Sequence, residues 1–278
     1  MSPLWRDQLL IALSPERLVL LRQSGGLRPK LLAHKVISVA ASSAATVPWK
    51  PALDHLAQQL TGDKQWQDAN VRVVLSNHFA RYQLVPWSEA VTGREERDAY
   101  VREVYAQVYG EGTENWTVRI SETGFDAPWL ACAVDRVLLD QIEEAVTQGK
   151  SRLLSVMPHL MSVFNAARGT LHAKDAWWVQ VEPGRLLLAL FLNGHWHALS
   201  SRQIAGEGWQ RELPFLLDRE AQLGGLNKIP RNVFVSAPEA QQTVLDGAGK
   251  WVYRWLRPKL GFGFSGRSDA PYAMVLGA

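Results

Sequence analysis

The start of the chain consists of short hydrophobic runs separated by tight turns. Three short apolar runs cover residues 8–13, 17–22 and 30–39, and turns at Ser14-Pro15-Glu16 and Gly25-Gly26 separate them. Short apolar runs of this length, bounded by Pro and Gly, are typical of β-strands joined by hairpin turns. The pattern therefore predicts an antiparallel three-strand meander.

Helical and strand periodicities then follow one another up to residue 168. Apolar residues at helical spacing predict amphipathic helices, and short β-branched or aromatic runs predict strands. In one helix, Asp135 is the expected N-cap and Val137, Leu138, Ile142 and Val146 are the expected apolar stripe. The other predicted helices are 51–60, 95–109 and 158–168, and the predicted strands are 71–76, 80–85, 116–120, 129–134 and 153–156.

The second half of the chain repeats the first in outline. A second meander is predicted, with turns at Pro183-Gly184 and at Asn193-Gly194, a dipeptide that strongly favours a two-residue hairpin. The predicted strands are 176–182, 185–191, 195–201, 232–236 and 251–256, and the predicted helices are 209–222 and 239–245. Two successive meander–helix–strand–helix units predict a duplicated α/β fold.

Composition narrows the class of protein without identifying it. The 278 residues are 47% hydrophobic, which is sufficient for one large or two modest domains. The net charge of +3 is too small to indicate a nucleic-acid binder by itself. Cys132, the single cysteine, lies in an apolar run and is expected to be a buried, inert thiol. No basic leader or long apolar stretch is visible, so we expect a cytoplasmic protein that does not insert into the membrane.

The element order and several segments resemble a known superfamily. The segments are 75–87, 130–135, 154–161, 192–202 and 270–277. In this order they are similar to the actin-like ATPase superfamily, which has a ribonuclease H-like fold. The similarity extends especially to the actin-like protein of type IV pilus assembly and to the cytoplasmic domain of the type II secretion L protein.

The resemblance implies an α/β, actin-like (ribonuclease H-like) duplicated fold with two lobes of mixed sheets flanked by helices. It places the first lobe at residues 1–170, with an inserted small subdomain at about 78–132. The second lobe is expected at residues 171–278, and its last segment, 270–277, is expected to form the closing helix.

An actin-like ATPase requires two turns that hold Mg²⁺ and phosphate and a third, Gly-rich turn against the adenosine, and these turns are degenerate here. Mg²⁺ takes oxygen ligands, and phosphate needs backbone N–H donors next to glycine. The first turn has Ser14 and Pro15 where an acid and glycine are expected, and the third, 235–238, lacks a glycine pair. The second turn keeps an acidic-x-Gly spacing in Glu182 and Gly184. We therefore predict no catalytic residues and no cofactor, with Ser14, Glu182 and Gly184 as vestigial candidates.

Other chemistries are weighed against this prediction. The main alternative is a residual ATP-binding protein or weak ATPase that uses Glu182 and Gly184 with Mg²⁺. His195 and His197 share one face of a predicted strand and could bind a metal, but no third ligand accompanies them, so no metal site is predicted. A ribonuclease H-like nuclease would need clustered carboxylates, which the predicted strands lack.

Two aromatic sets are candidate interaction surfaces. Trp49, Trp66 and Trp87 lie in predicted loops or beside proline, where exposure and partner binding are the hypothesis. The segment 250–267 combines cations with aromatic residues, a pattern found on nucleic-acid or anionic membrane surfaces. An amphipathic strand with a solvated cationic face is the preferred interpretation, so nucleic acid is not an expected partner.

Taken together, the residues and the resemblance predict a non-catalytic scaffold in a bacterial inner-membrane assembly of the type IV pilus or type II secretion kind. The expected partners are proteins, in particular peptide segments of inner-membrane pilus or secretion proteins that recruit this chain to the membrane. The identity of the partner and the oligomeric state do not follow from the sequence.

Overall fold

The computed structural model describes residues 6–40, 47–121, 126–171, 175–225, 228–240, 245, 249–258, 260–264 and 267–277. The chain divides into two compact units. The first unit is formed by Met1–Ala80, Val134–Ala166 and Pro258–Ala278, and the second by Arg81–Ala133 and Ala167–Arg257. The C-terminal segment thus belongs to the same unit as the N-terminal meander. The predicted lobe boundary at 170/171 and the predicted insertion at 78–132 stay predictions.

The first unit is built on a five-stranded mixed sheet. The N-terminal meander forms its antiparallel part, and two further strands continue it in parallel beside β1. The strand order is β3-β2-β1-β4-β8. The strands are β1 (Gln8–Ser14), β2 (Arg17–Gln23), β3 (Leu31–Ser38), β4 (Asn70–Leu75) and β8 (Arg152–Pro158).

Helices of the first unit cover this sheet. Helix α1 packs against α3, and Asp135 accepts a hydrogen bond of 2.9 Å from the amide of Val137, which confirms the predicted N-cap. Buried positions of α3 include Leu138 and Ile142, whereas Val137 is exposed, so the predicted stripe was wrong at that position. One residue of offset turns a helical side chain by about 100°. These helices are α1 (Lys50–Gly62) and α3 (Arg136–Gln148), and α4 (His159–Leu171) follows β8 and continues beyond Ala166, where this part of the first unit ends.

Both faces of β1 are buried, which explains its unbroken apolar sequence. Ala12 packs with residues of the C-terminal helix α6 (Ala273–Leu276), whereas Leu9, Ile11 and Leu13 point to the opposite face and are fully buried. The C-terminal segment is held further by Tyr272, whose hydroxyl lies 2.7 Å from Nδ1 of His34. A strand that is buried on two sides loses the polar alternation of a half-exposed strand.

The second unit contains a small three-stranded sheet covered by one helix. The strand order is β5-β7-β6, so β6 is an edge strand among the described strands. Val101 and Tyr105 of the helix are buried against inward-facing residues of the sheet. The elements are β5 (Ala80–Val85), α2 (Arg94–Tyr109), β6 (Trp116–Ser121) and β7 (Trp129–Asp135).

The larger sheet of the second unit repeats the topology of the first unit's sheet. Its order is β11-β10-β9-β12-β13, with an antiparallel meander followed by two parallel strands. Asn193 and Gly194 both have positive φ in the β10–β11 hairpin, which confirms the predicted turn. The strands are β9 (Ala176–Glu182), β10 (Arg185–Leu192), β11 (His195–Gln203), β12 (Asn232–Ser236) and β13 (Val252–Trp255).

Helix α5 (Trp209–Leu223) covers one face of this sheet. Leu213 and Leu217 of α5 are fully buried in a core that includes Trp177 and Trp251, whose rings meet edge to face at a centroid distance of 6.1 Å. The predicted helix 239–245 falls mainly on residues outside the described part of the chain.

Two of the three loop tryptophans predicted to be exposed are buried. Trp49 retains 7% of its accessible surface and Trp66 retains none, whereas Trp87 is half-buried against the small sheet. An aromatic side chain removes a large apolar area from water when it turns inward, even from a short 3₁₀ turn such as Lys64–Trp66. The hypothesis of a tryptophan-rich binding surface was therefore wrong for Trp49 and Trp66.

Cys132, which was expected to be buried, is half-buried on the central strand of the small sheet. Burial raises the pKa of its thiol to about 12. Below about pH 8.5 the thiol is protonated in both the folded and the unfolded chain, so it adds no pH dependence there. Above that pH the unfolded chain ionises first, and the free energy of unfolding falls by up to about 1.4 kcal/mol per pH unit.

We expect Cys132→Ala to remove this contribution. Between about pH 8 and about pH 10, the wild-type chain should lose about 2 kcal/mol more unfolding free energy than the variant. Urea unfolding at the two pH values measures the difference. The same alkaline loss in both proteins would contradict a raised pKa of the thiol at this position.

Candidate functional site

Three turns correspond to the predicted nucleotide-binding elements, and each is described within its own unit. In the β1–β2 turn, Ser14 and Arg17 face each other in register, with Pro15 and Glu16 between them. The Ser14 hydroxyl donates to the carbonyl of Arg17 at 3.0 Å, so its hydrogen closes the turn. Glu16 is exposed, as predicted, and Pro15 has no N–H to offer a phosphate. These residues are a poor fit for Mg²⁺ and triphosphate.

The β9–β10 turn brings together the other two vestigial candidates. Glu182 and Arg185 are opposite each other in the ladder, and Pro183 and Gly184 form the turn between them. Gly184 has φ of 74°, a conformation that glycine adopts without strain. Proline followed by glycine with positive φ is typical of a type II turn. The acidic-x-Gly spacing is thus met by an ordinary hairpin.

The carboxylate of Glu182 lies in a charged setting that the sequence did not predict. Glu182 is 4% exposed. Burial lowers the pKa of Arg185, and the attraction of Glu182 opposes that change. The guanidinium of Arg185 also donates to the hydroxyl of Ser201 at 3.0 Å. A carboxylate that faces a guanidinium across its own hairpin has an internal cation to balance it.

The third turn follows β12 and lacks the glycine pair expected of a turn that packs against adenosine. Ala237 is buried with its methyl group in the core beneath α5, and the amide of Ala240 donates to its carbonyl at 3.1 Å. Pro238 removes one more backbone donor. Ser14 therefore belongs to a turn of the first unit, while Glu182 and Gly184 share one turn of the second.

Two polar residues, Asn77 and His78, follow the end of β4 and make hydrogen bonds. Asn77 is buried, and its side-chain oxygen accepts a hydrogen bond of 3.1 Å from the amide of Leu160 in the first turn of α4. The amide of His78 donates to the hydroxyl of Ser76 at 3.1 Å. Asn77 thus satisfies one of the helix N–H groups that lack an intrahelical partner.

His195 and His197 flank the buried Trp196 on β11, as the alternation of the strand predicts. Trp196 packs edge to face against Phe191 at 5.5 Å between ring centroids. Throughout the described residues, no group of three or more His, Cys, Asp or Glu side chains is placed to hold a metal ion.

The basic-aromatic segment 250–267 divides between the two units. Trp251 is buried in the core under α5, where Tyr253 and Trp255 also pack, while Arg254 on the same strand is exposed. This arrangement agrees with the amphipathic strand preferred from the sequence. Lys250 lies 5.1 Å from the centre of the Trp251 ring and pairs with Asp218. Phe262 and Phe264 pack instead with the C-terminal segment of the first unit.

A cationic groove between α2 and β6 was missed from the sequence, and we call it the basic groove. It has a volume of about 360 Å³. The recurrence of arginine along α2 was the only sign of this groove in the sequence. The groove could not be predicted from it, because the strand residues that complete the groove lie more than a dozen positions further along the chain. The lining residues are Arg94, Arg97, Asp98, Val101, Arg102, Val118, Arg119 and Ile120.

Among the described helices, none is both long enough and apolar enough to cross a membrane.

Comparison with known proteins identifies the fold. No family model and no curated protein matches the sequence. The cytoplasmic domain of EpsL, an inner membrane component of the type II secretion system of Vibrio cholerae, is similar with a TM-score of 0.61 and 10% identity over 98% of this chain and 94% of that one. A Bacteroides thetaiotaomicron protein with an actin-like ATPase fold and unknown function has a TM-score of 0.58 and 10% identity, over 97% and 96%.

A chain of the PilM–PilN type IV pilus biogenesis complex is also similar, with a TM-score of 0.59 and 13% identity over 82% of this chain and 80% of that one. These similarities show that the chain has an actin-like α/β fold, which confirms the predicted fold class and the resemblance on which it depended.

Proposed function

We propose that this actin-like chain is a non-catalytic scaffold that binds protein segments in a bacterial inner-membrane assembly of the type IV pilus or type II secretion kind. In this proposal the chain lies on the cytoplasmic side and is recruited to the membrane by its partners. Similarity to the EpsL cytoplasmic domain and to the PilM–PilN complex supports this class of assembly.

The main support for the proposed absence of catalysis is the β1–β2 turn. Ser14 and Pro15 stand where Mg²⁺ and phosphate require an acid and bare peptide, and the Ser14 hydroxyl closes the turn. The β9–β10 turn adds support, because Glu182 faces Arg185 across the hairpin. A carboxylate with a neighbouring guanidinium binds a divalent cation less well than a free one, since the cation must compete with that guanidinium.

Titration calorimetry with Mg-ATP and a phosphate-release assay test this part. We expect neither heat of binding at micromolar nucleotide nor phosphate release above the protein-free rate. Saturable ATP binding that disappears in Glu182→Gln, while circular dichroism stays unchanged, would establish the alternative of a residual ATP-binding protein. Glu212→Gln, at an exposed acid on α5, is the matched control.

A further inference from the structure

The basic groove carries a strong excess of positive charge. Four arginines line it, at positions 94, 97, 102 and 119, against one carboxylate, Asp98. Arg94, Arg102 and Arg119 are exposed, and within the described part of the chain none of these three forms an ion pair. The nearby Glu96 carboxylate already accepts hydrogen bonds from the amides of Thr92 and Gly93. The groove is therefore complementary to an acidic ligand.

One wall of the groove is the edge strand β6. Val118, Arg119 and Ile120 are consecutive residues of that strand, and all three line the groove. Successive side chains of a strand point to opposite faces, so a groove that contacts all three extends along the strand's backbone. The Arg119 guanidinium lies beside that backbone and donates to the carbonyl of Val118 at 3.2 Å. An unpaired strand edge is a template for one more strand.

The floor of the groove is apolar. Val101 is fully buried beneath it, and Val118 and Ile120 are half-buried and pack against the core of the small sheet. A volume of about 360 Å³ accommodates a few side chains, not a folded domain. An extended segment that alternates apolar with acidic residues would place one set on this floor and the other among the arginines.

We propose that the basic groove receives an acidic, extended segment of a protein partner, which pairs with the outer edge of β6. The proposal rests on the proposed scaffold function and specifies the chemistry of its partner. Backbone hydrogen bonds to β6 supply affinity, the apolar floor selects alternate side chains, and the arginines set the required charge.

Nucleic acids and anionic membranes carry the same sign of charge but fit the groove less well. A phosphate backbone has no apolar side chains for Val118 and Ile120. A membrane surface is flat on this scale and cannot pair with the edge of a strand. Both ligands are competitors that the experiment includes.

A library of short random peptides, displayed on phage and selected on the whole chain, tests the proposal without assuming a sequence. We expect the selected peptides to alternate Asp or Glu with β-branched residues. Fluorescence anisotropy should then show that the double variant Arg94→Glu/Arg102→Glu binds the best peptide at least about tenfold more weakly, with a shallower dependence on salt. Arg211→Glu, an exposed arginine on α5 of the same unit, should bind as the wild type does.

Backbone pairing is tested on the peptide, which leaves the protein unchanged. One form of the peptide is N-methylated at its odd positions and the other at its even positions. Each form therefore loses the backbone N–H donors on one edge of the strand and keeps those on the other edge. One form should lose binding and the other should keep it, because only one edge of the added strand faces β6.

Selected peptides that lack acidic residues, or an Arg94→Glu/Arg102→Glu variant that binds them normally, would overturn the proposal. Tighter binding of an oligonucleotide or of phosphatidylserine vesicles than of the peptide would do so as well. None of these measurements involves Mg-ATP, so the two proposals are tested independently. A negative peptide result would not affect the proposed absence of nucleotide hydrolysis, and observed nucleotide hydrolysis would not affect the peptide result.

Discussion

Replacing Trp66 with alanine is expected to lower the free energy of unfolding by about 3–5 kcal/mol. The side chain has no exposed surface and lies in the 3₁₀ turn Lys64–Trp66 that leads into β4. Removing the indole loses its transfer free energy and leaves a cavity that neighbouring groups fill only in part. Urea unfolding followed by circular dichroism measures the change.

Trp87→Ala is the matched control for Trp66. Neither tryptophan lies in an α-helix or a β-strand, and both were predicted to be exposed. Trp66 is fully buried, whereas Trp87 is half-buried. We expect this control to lose about 1–2 kcal/mol. Equal losses in the two variants would mean that the difference in burial has no energetic consequence.

Replacing Tyr105 with alanine is expected to cost about 3–5 kcal/mol and to disrupt the small sheet. Tyr105 is fully buried, stacks on Tyr109 at 5.8 Å and meets Trp116 edge to face at 6.1 Å between ring centroids. Its hydroxyl donates to the carbonyl of Arg81 at 2.9 Å. Through Trp116, at the start of β6, this side chain fixes the strand that borders the basic groove.

Tyr105→Phe separates packing from the hydrogen bond. The phenylalanine keeps the ring contacts and leaves the Arg81 carbonyl without this donor, so we expect a loss of about 1–2 kcal/mol. Thermal unfolding and anisotropy with the selected peptide are the two measurements. The alanine variant should lose both stability and peptide binding, whereas the phenylalanine variant should keep binding. If Tyr105→Ala bound the peptide normally, the groove would not depend on the small sheet's core.

Most of the fold could be predicted because its local patterns agree with its tertiary structure. The run at β1 indicated a strand, and burial on two faces accounts for its lack of polar residues. Asn193-Gly194 indicated a hairpin because both residues adopt positive φ readily, and they do so here. Val137 was predicted to be buried and is exposed, whereas the next residue, Leu138, is buried. A helical pattern placed wrongly by one residue thus reverses the predicted burial of a side chain.

The candidate sites were predictable only where chemistry follows from neighbouring residues. Pro15 removes a backbone donor in any structure, so the poor fit of the first turn to phosphate was evident from the chain itself. The pairing of Glu182 with the Arg185 guanidinium was not evident from the chain, because it depends on the β-ladder that places the two residues opposite each other.

The sequence by itself determined the order of helices and strands, the repetition of the meander and the chemistry of the short turns, since these depend on local conformational preference and periodicity. Tertiary structure decided which tryptophans are buried and which arginines share a groove. Trp66 is fully buried although it lies in a short 3₁₀ turn, and the basic groove joins a helix near residue 100 to a strand near residue 119. Burial and charge clustering depend on distances in space, and a linear pattern does not contain those distances.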